Sequence, residues 1–543
     1  MAAKRLALGL DLSTQSLSAA VVDIDSQTNV FELSLDFAKD QRLNGFGIER
    51  KHYIVPPRVE GEADQPPRMF FASLDSIFGD MKEAGAALQN IVVVNSSGQQ
   101  HGHVYLNRDA RSIFGRLNEE GSEHSDLVTL LEGCLAYNLA PIWMTANTAE
   151  QAEHIRKYAG GKKRMIQLSG SDAPLRFTGV VMRRVAEQFP EAYRQTDNIQ
   201  LLSSLVPAIL TGNSKVAIDF GNACGMSLMD YTRKRWSGAL IRAASAGLPG
   251  GEKGLRSKLP SIVPPDTIVG TIAGYFVQKY GFSNTCKIMV GSGDNPQSKV
   301  LIGGDLLSLG TSFVNMVSTE GRTLDMGGSA NAMYDGIGRP FIFGCRTNGA
   351  MVWDQLRAMY GFDKEEYVPA EKALQQAPLG QCLVFWQPRT ESFPPSGSFG
   401  LVRVNSAKTD FGADYAGLIE SALAAVYHHS RGFTRKTADP LYLTGGAINS
   451  PEIMRRVSAI WNRRVTPAEK GGAALGAAVA AAYGYLKSEG EETDVDKFSA
   501  SLLRRRAPIQ PKPEDVAAFH SPGAYLERFA IEEAKLIAEH PAK

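Results

Sequence analysis

Residues 6–25 read LALGLDLSTQSLSAAVVDID. An apolar run from Leu6 to Leu10 meets a polar turn, Asp11 to Ser16, and a second apolar run, Leu17 to Ile24, follows it with Asp23 and Asp25 at its end. The pattern predicts a β-hairpin whose tip carries hydroxyls and amides. A similar unit recurs about half the chain later at Asp305 to Ser318, DLLSLGTSFVNMVS. There Leu309-Gly310-Thr311 matches Leu12-Ser13-Thr14, with Ser308 in the place of Asp11. A match at such a separation points to duplication of a whole domain rather than to a short solenoid repeat. Further strands are expected at Asn90 to Asn95 and Lys287 to Val290, alternating with helical stretches, so the fold class is α/β.

The chain has 543 residues, more than one hydrophobic core accommodates, since cores stop growing at roughly 250 to 300 residues. Lys plus Arg number 58 and Asp plus Glu 57, a net charge of +1, which argues against a general nucleic-acid binder. The cysteines, Cys134, Cys224, Cys286, Cys345 and Cys382, are scattered, with no C-x-x-C pair and no histidine at ligand spacing. Reduced thiols in a cytoplasmic protein are expected, not a disulfide framework or a zinc site. The first apolar run meets Asp11 too soon for a secretory signal. The stretch Gly471 to Leu486, GGAALGAAVAAAYGYL, is shorter than the ~20 residues of a membrane span and reads as a close-packed internal helix.

Five turns carry chemistry. Asp11-Leu12-Ser13-Thr14-Gln15-Ser16 offers backbone N–H groups and hydroxyls suited to phosphate oxygens, with a carboxylate suited to Mg²⁺ through water; the plain alternative is a polar hairpin tip. Gly310-Thr311-Ser312 repeats that equipment. Gly445-Gly446 ends a strand where backbone approaches closely, and Asn449 can hydrogen-bond a base or ribose, before a helix capped by Ser450 with Pro451 as its first residue. Gly293-Asp294-Asn295-Pro296 follows the strand Lys287 to Val290, so Asp294 leaves a strand end where a carboxylate can take a proton from an attacking alcohol. Ser97-Gly98-Gln99-Gln100-His101-Gly102 adds donors and acceptors of the kind that recognise a polyhydroxylated molecule. Neither a Walker-type P-loop nor a dinucleotide fingerprint is present.

Taken in order, LGLDLSTQS, SSGQQHG, SGSDAPLRFTG, GSGDNPQS, SLGTS and LTGGAINSPEI resemble the FGGY carbohydrate kinases of the actin-like ATPase superfamily, and among them the xylulokinase branch, especially its longer animal-type members. The resemblance implies two actin-like (ribonuclease H-like) α/β domains flanking a deep cleft. Residues 1–303 would form the N-terminal domain with the sugar site and the catalytic Asp, 304–487 the nucleotide domain, and 488–543 a charged tail on the surface. It implies Asp294 as general base, with Gln100, His101, Asn295 and Arg176 holding the sugar. ATP phosphates would lie on Asp11, Ser13, Thr14 and Gln15 and on Gly310-Thr311, Mg²⁺ by Asp11, and adenosine near Gly445, Gly446 and Asn449 with Tyr367 over the base.

The activity so implied is ATP-dependent phosphorylation of the terminal hydroxyl of D-xylulose to D-xylulose 5-phosphate. A ketose and ATP are the expected partners, without nucleic acid or membrane, in a monomer or homodimer. Two departures stand out. Ser18 occupies a place where the family usually has a basic residue, and Thr145 one where it usually has Asp. They keep open a kinase for another ketose or polyol, such as ribulose or a tetritol, and a sugar-binding regulator that has lost turnover.

Overall fold

The computed structural model describes residues 4–363, 366–404, 410–435, 439–469 and 471–542. The chain divides into two compact units, each discontinuous in sequence. Unit 1 comprises Met1–Leu301, Ala332–Pro340 and Gly471–Leu502; unit 2 comprises Ile302–Asn331, Phe341–Lys470 and Leu503–Lys543. Unit 1 thus takes in the Ala-rich helix, which a linear division at 303/304 and 487/488 assigns to the second domain.

In unit 1 the opening hairpin is β1 (Leu6–Leu12) and β2 (Ser16–Asp23), extended by β3 (Thr28–Asp36). β1 also pairs in parallel with β4 (Ile91–Gly98). With β5 (Ile268–Thr271) and β6 (Lys287–Met289) the strand order is β5-β6-β4-β1-β2-β3, and β7 (Ser292–Gly293) pairs with the end of β4. β1 is buried along nearly its whole length, whereas the edge strand β3 exposes much of itself, the contrast expected between a strand covered on both faces and one at a sheet margin. The strand predicted at Asn90 to Asn95 runs on through Ser96, Ser97 and Gly98. Those hydroxyls read as a turn in sequence, but Ser96 Oγ finds the Ser203 carbonyl at 2.6 Å, which permits a polar strand end inside the protein.

Unit 2 repeats the plan. Antiparallel β8 (Leu306–Leu309), β9 (Phe313–Ser318) and β10 (Pro340–Arg346) adjoin parallel β11 (Leu441–Thr444) and β12 (Val465–Pro467) in the order β10-β9-β8-β11-β12, five of the six strands of this sheet. This matches β3-β2-β1-β4-β6 strand for strand, and Ser308 pairs with Thr444 as Asp11 pairs with Ser97. The helices used below are α1 (Leu202–Thr211), α2 (Asp294–Val300), α3 (Ala350–Met359), α4 (Tyr367–Gln376), α5 (Phe411–Ser430), α6 (Pro451–Trp461) and α7 (Ala473–Ser488). α6 starts as expected: Ser450 Oγ accepts from Ile453 N, and Pro451 is the first helical residue. The tail carries α8 (Val495–Leu502), α9 (Pro513–His520) and α10 (Tyr525–Glu539). It does more than line a surface, because Phe519, Tyr525 and Phe529 are fully buried and Tyr525 OH bonds Ser421 Oγ of α5.

α7 lies against β1 and α2 within unit 1, and its composition follows from that closeness. A Cβ on Gly9 of β1 would sit 1.9 Å from the Ala474 carbonyl oxygen, and one on Gly476 would sit 2.0 Å from that of Gln297. No described helix is long and apolar enough to cross a membrane. Overpacking a close contact typically costs about 1–3 kcal/mol and more against rigid backbone. Gly476→Val should therefore lower the melting temperature of the full chain clearly in scanning calorimetry, whereas Gly45→Ala, which meets nothing within 4 Å, should leave it unchanged. Equal melting of the two variants would contradict this packing.

Candidate functional site

Register brings the chemistry of unit 1 to one sheet end. Asp11 stands opposite Ser18 on β2 and Ser97 on β4, and Ser97 stands opposite Ser292 on β7. In the next row Leu12 faces Gly98, and Gly98 faces Gly293. One step beyond each strand lie Ser13, Gln99 and Asp294, so three segments far apart in sequence end side by side. The Gln99 N–H continues the ladder to the Leu12 carbonyl at 2.9 Å.

Asp294 is the first residue of α2 and is half-buried. Its Oδ1 accepts from Asn295 N at 2.8 Å, from Asn295 Nδ2 at 3.1 Å and from Gln100 N at 3.3 Å. Asn295 Nδ2 also donates to Gln100 Oε1 at 2.9 Å, while Gln100 Nε2 is buried with no hydrogen-bond partner among the described residues. A buried amide donor left unmet is costly, and a ligand oxygen is its natural complement. The structure thus brings Asp294, Asn295 and Gln100 together.

His101 sits beside them in a left-handed conformation, φ +70°, stacked on Phe177 with ring centroids 4.3 Å apart. Its Nδ1 lies 2.9 Å from the Gly225 carbonyl, so Nδ1 carries the proton and Nε2 is an acceptor. Burial, followed by the charge of Arg176, pushes its pKa down to about 3, so the ring is neutral at physiological pH. A Cβ on Gly225 would come 2.9 Å from His101 Cε1, which accounts for the glycine there. Arg176 is half-buried and makes no ion pair among the described residues. The group offers donors from Gln100 and Arg176 and an acceptor on His101, a mixture suited to hydroxyls.

The Asp11 to Ser16 turn differs in detail from the expectation. Ser13 Oγ donates to the Ser16 carbonyl at 3.0 Å, and Thr14 Oγ1 donates to Gln99 Oε1 at 2.9 Å while accepting from Trp143 Nε1 at 2.9 Å. Both hydroxyls hold the turn itself. The N–H groups of Thr14 and Gln15 donate to nothing among the described residues and are left for an anion. Gln65 closes the network, donating to the Thr14 carbonyl at 2.8 Å and accepting from Gln99 Nε2 at 2.6 Å. Gln65 and Trp143, and the bond of Gln99 to the Thr14 turn, have no signal in the sequence, because nothing local ties residues 14, 65, 99 and 143 together. Of the two departures, Ser18 bonds Ser34 Oγ on β3, and Thr145 is buried with its hydroxyl on the Ala63 carbonyl at 3.3 Å.

In unit 2, Thr311 and Ser312 are exposed, and their N–H groups likewise lack a described partner. Gly445 has φ +94°, and a Cβ there would meet the Leu309 carbonyl oxygen at 2.4 Å, so β11 can lie close to the Gly310 turn only with glycine. Gly446 and Asn449 are exposed, and Asn449 Oδ1 accepts from Arg506 Nη1 at 3.0 Å. Tyr367, 57% exposed, covers the buried Arg357 guanidinium 4.4 Å from its ring centre. One turn further along α4, Glu371 receives Ser450 Oγ and Glu452 N, which places Tyr367 near the Asn449 turn. Among the described residues no group of three or more His, Cys, Asp or Glu could hold a metal by itself.

The models of the FGGY family of carbohydrate kinases match this chain, the N-terminal domain over residues 137–301 and the C-terminal domain over 306–485. The chain is 34% identical over 316 residues to xylulose kinase of Mus musculus, covering 57% of this chain and 54% of that protein. The match thus spans about half the length of that relative. To xylulose kinase 2 of Arabidopsis thaliana it is 29% identical over 511 residues, 89% of this chain and 87% of the relative. Among solved structures it resembles xylulose kinase from Rhodospirillum rubrum, with TM-score 0.76 and 16% identity over 98% of this chain and 99% of that one. It also resembles Plasmodium falciparum glycerol kinase with ADP, with TM-score 0.73 and 15% identity over 99% of both. These likenesses show the fold, the expected α/β pair of actin-like domains. Two family models in succession, over residues 137–301 and 306–485, settle the relationship: the chain belongs to the FGGY family of carbohydrate kinases.

Proposed function

We propose that this protein transfers the γ-phosphoryl group of ATP to the terminal hydroxyl of D-xylulose, giving D-xylulose 5-phosphate and ADP. The observation that carries the reading is the Asp294 carboxylate, oriented by three N–H donors beside the unmet amide of Gln100. The matching relatives named xylulose kinase supply the sugar. In this reading Gln100, Asn295, His101 and Arg176 hold the ketose. Asp294 takes the proton of the terminal hydroxyl as that oxygen forms its bond to phosphorus and the bond to the ADP oxygen breaks.

The phosphates rest on the N–H groups of Thr14 and Gln15 and on the Gly310-Thr311 turn, with adenosine by Gly445, Gly446 and Asn449 and Tyr367 beside the base. Asp11 fits Mg²⁺, an ion that keeps most of its waters and needs one carboxylate plus phosphate oxygens rather than a protein cage. When bound, the ion neutralises phosphate charge. The scattered cysteines support a cytoplasmic location.

Asp294→Ala should lower sugar-dependent ADP release by about 10²- to 10⁴-fold, the usual worth of a general base, while calorimetry shows ATP binding unchanged. Retained turnover would remove Asp294 from the mechanism. Across a panel of ketoses and polyols, D-xylulose should give the highest kcat/KM, and a higher value for ribulose or a tetritol would reassign the substrate. If His101 acts as a neutral acceptor, its ring resonances at pH 5 should keep their neutral-imidazole positions in NMR, since its pKa lies near 3. An imidazolium signal at pH 5 would contradict that role.

A further inference from the structure

The strand end that carries Asp294 is held by a second carboxyl, Asp219. This residue closes the two-residue strand Ile218–Asp219, which pairs in parallel with Ile262–Val263, and it is 1% exposed. One oxygen accepts from Asn222 N at 3.1 Å, capping the short helix Phe220–Ala223. The other accepts from Ser292 Oγ at 2.8 Å, two residues before Asp294. The surroundings leave this segment little room to move. Gly291, at φ +77°, donates its N–H to Asn95 Oδ1 at 3.2 Å, and a Cβ there would meet the Ser203 carbonyl oxygen and Ser96 Oγ, each at 2.4 Å. A Cβ on Gly293 would lie 2.4 Å from Gln100 Cγ and 3.1 Å from Asn222 Oδ1, and Asn222 Nδ2 is itself tied to Ser203 Oγ at 2.5 Å.

A capping role for Asp219 requires only the bond to Asn222. The bond to Ser292 adds something a cap does not need: a link from a fully buried carboxyl to the side chain that sets where Asp294 leaves the sheet. Burying an ionisable group is costly without compensation, and here the partners are hydroxyl and amide donors. Burial pushes its carboxyl up to about 7.

We propose that Asp219 is a positioning residue for the phosphoryl transfer, acting through Ser292 to fix the strand end from which Asp294 meets the acceptor hydroxyl. The inference rests on the reading of Asp294 as the base. Displacing a reacting group by as little as about 1 Å can cost about 10²-fold in rate, so the effect belongs in kcat.

Four variants of the full chain test it, each assayed for kcat, for KM of D-xylulose and of ATP, and for melting temperature. Ser292→Ala cuts the link and spares the cap. It should lower kcat about 10- to 100-fold with both KM values within about twofold of wild type and the fold retained. Asp219→Asn keeps an oxygen acceptor and should recover part of the kcat that Asp219→Ala loses. The pair Asp219→Ala with Ser292→Ala should be no slower than Asp219→Ala alone, because both act through one link. Should the Asp219→Ala chains fail to fold, Ser292→Ala and Asp219→Asn decide the matter. Wild-type kcat in Ser292→Ala, or losses that multiply in the double variant, would overturn the proposal while leaving Asp294 as base. Retained turnover in Asp294→Ala would overturn both.

Discussion

The account depends on a register. β1, β4 and β7 end level with one another, so that Leu12, Gly98 and Gly293 form a row and the residues just beyond them become neighbours. Backbone pairing fixes that row with a precision no loop matches, because a slip of one residue would turn every side chain to the opposite face. Asp294 therefore meets Gln100, and the Thr14 turn meets Gln99, as a consequence of strand pairing. The glycines along the row serve the same end: at Gly98 and Gly293 a side chain would strike α1 or Gln100.

The same economy appears in unit 2, where a sheet of matching order places Gly310 and Gly445 at adjoining strand ends. What differs is the cargo. Unit 1 ends its strands in a carboxylate, amides and an imidazole, and unit 2 in exposed backbone N–H groups with an aromatic ring nearby. A duplicated frame can thus offer hydroxyl recognition in one copy and anion recognition in the other, with loops rather than sheets carrying the distinction.

Much of this was legible in sequence. The hairpin at residues 6–25 and its echo at 305–318 announced themselves by apolar runs interrupted by polar turns, and the Ala-rich run Gly471 to Leu486 by its small residues. Two kinds of feature were not legible. Ser96 to Gly98 looked like a turn because the Ser96 hydroxyl meets its partner more than a hundred residues away, at Ser203. The residues that hold the site, Gln65, Gln99, Trp143, Asp219, Glu371 and Arg506, likewise gain meaning only from contacts that folding creates. The assignment of α7 to unit 1 has the same origin. Its partners, Gly9 and Gln297, lie far more than a hundred residues away, and the close approach that demands glycine has no local signature.

The central claim is that the Asp294 carboxylate faces the hydroxyl that is phosphorylated. A crystal structure of the protein with bound D-xylulose tests it most directly. The account predicts an Asp294 carboxylate oxygen about 2.6–3.2 Å from the terminal hydroxyl, with Gln100 Nε2 donating to the sugar. A sugar bound with its terminal hydroxyl out of reach of Asp294 would contradict it.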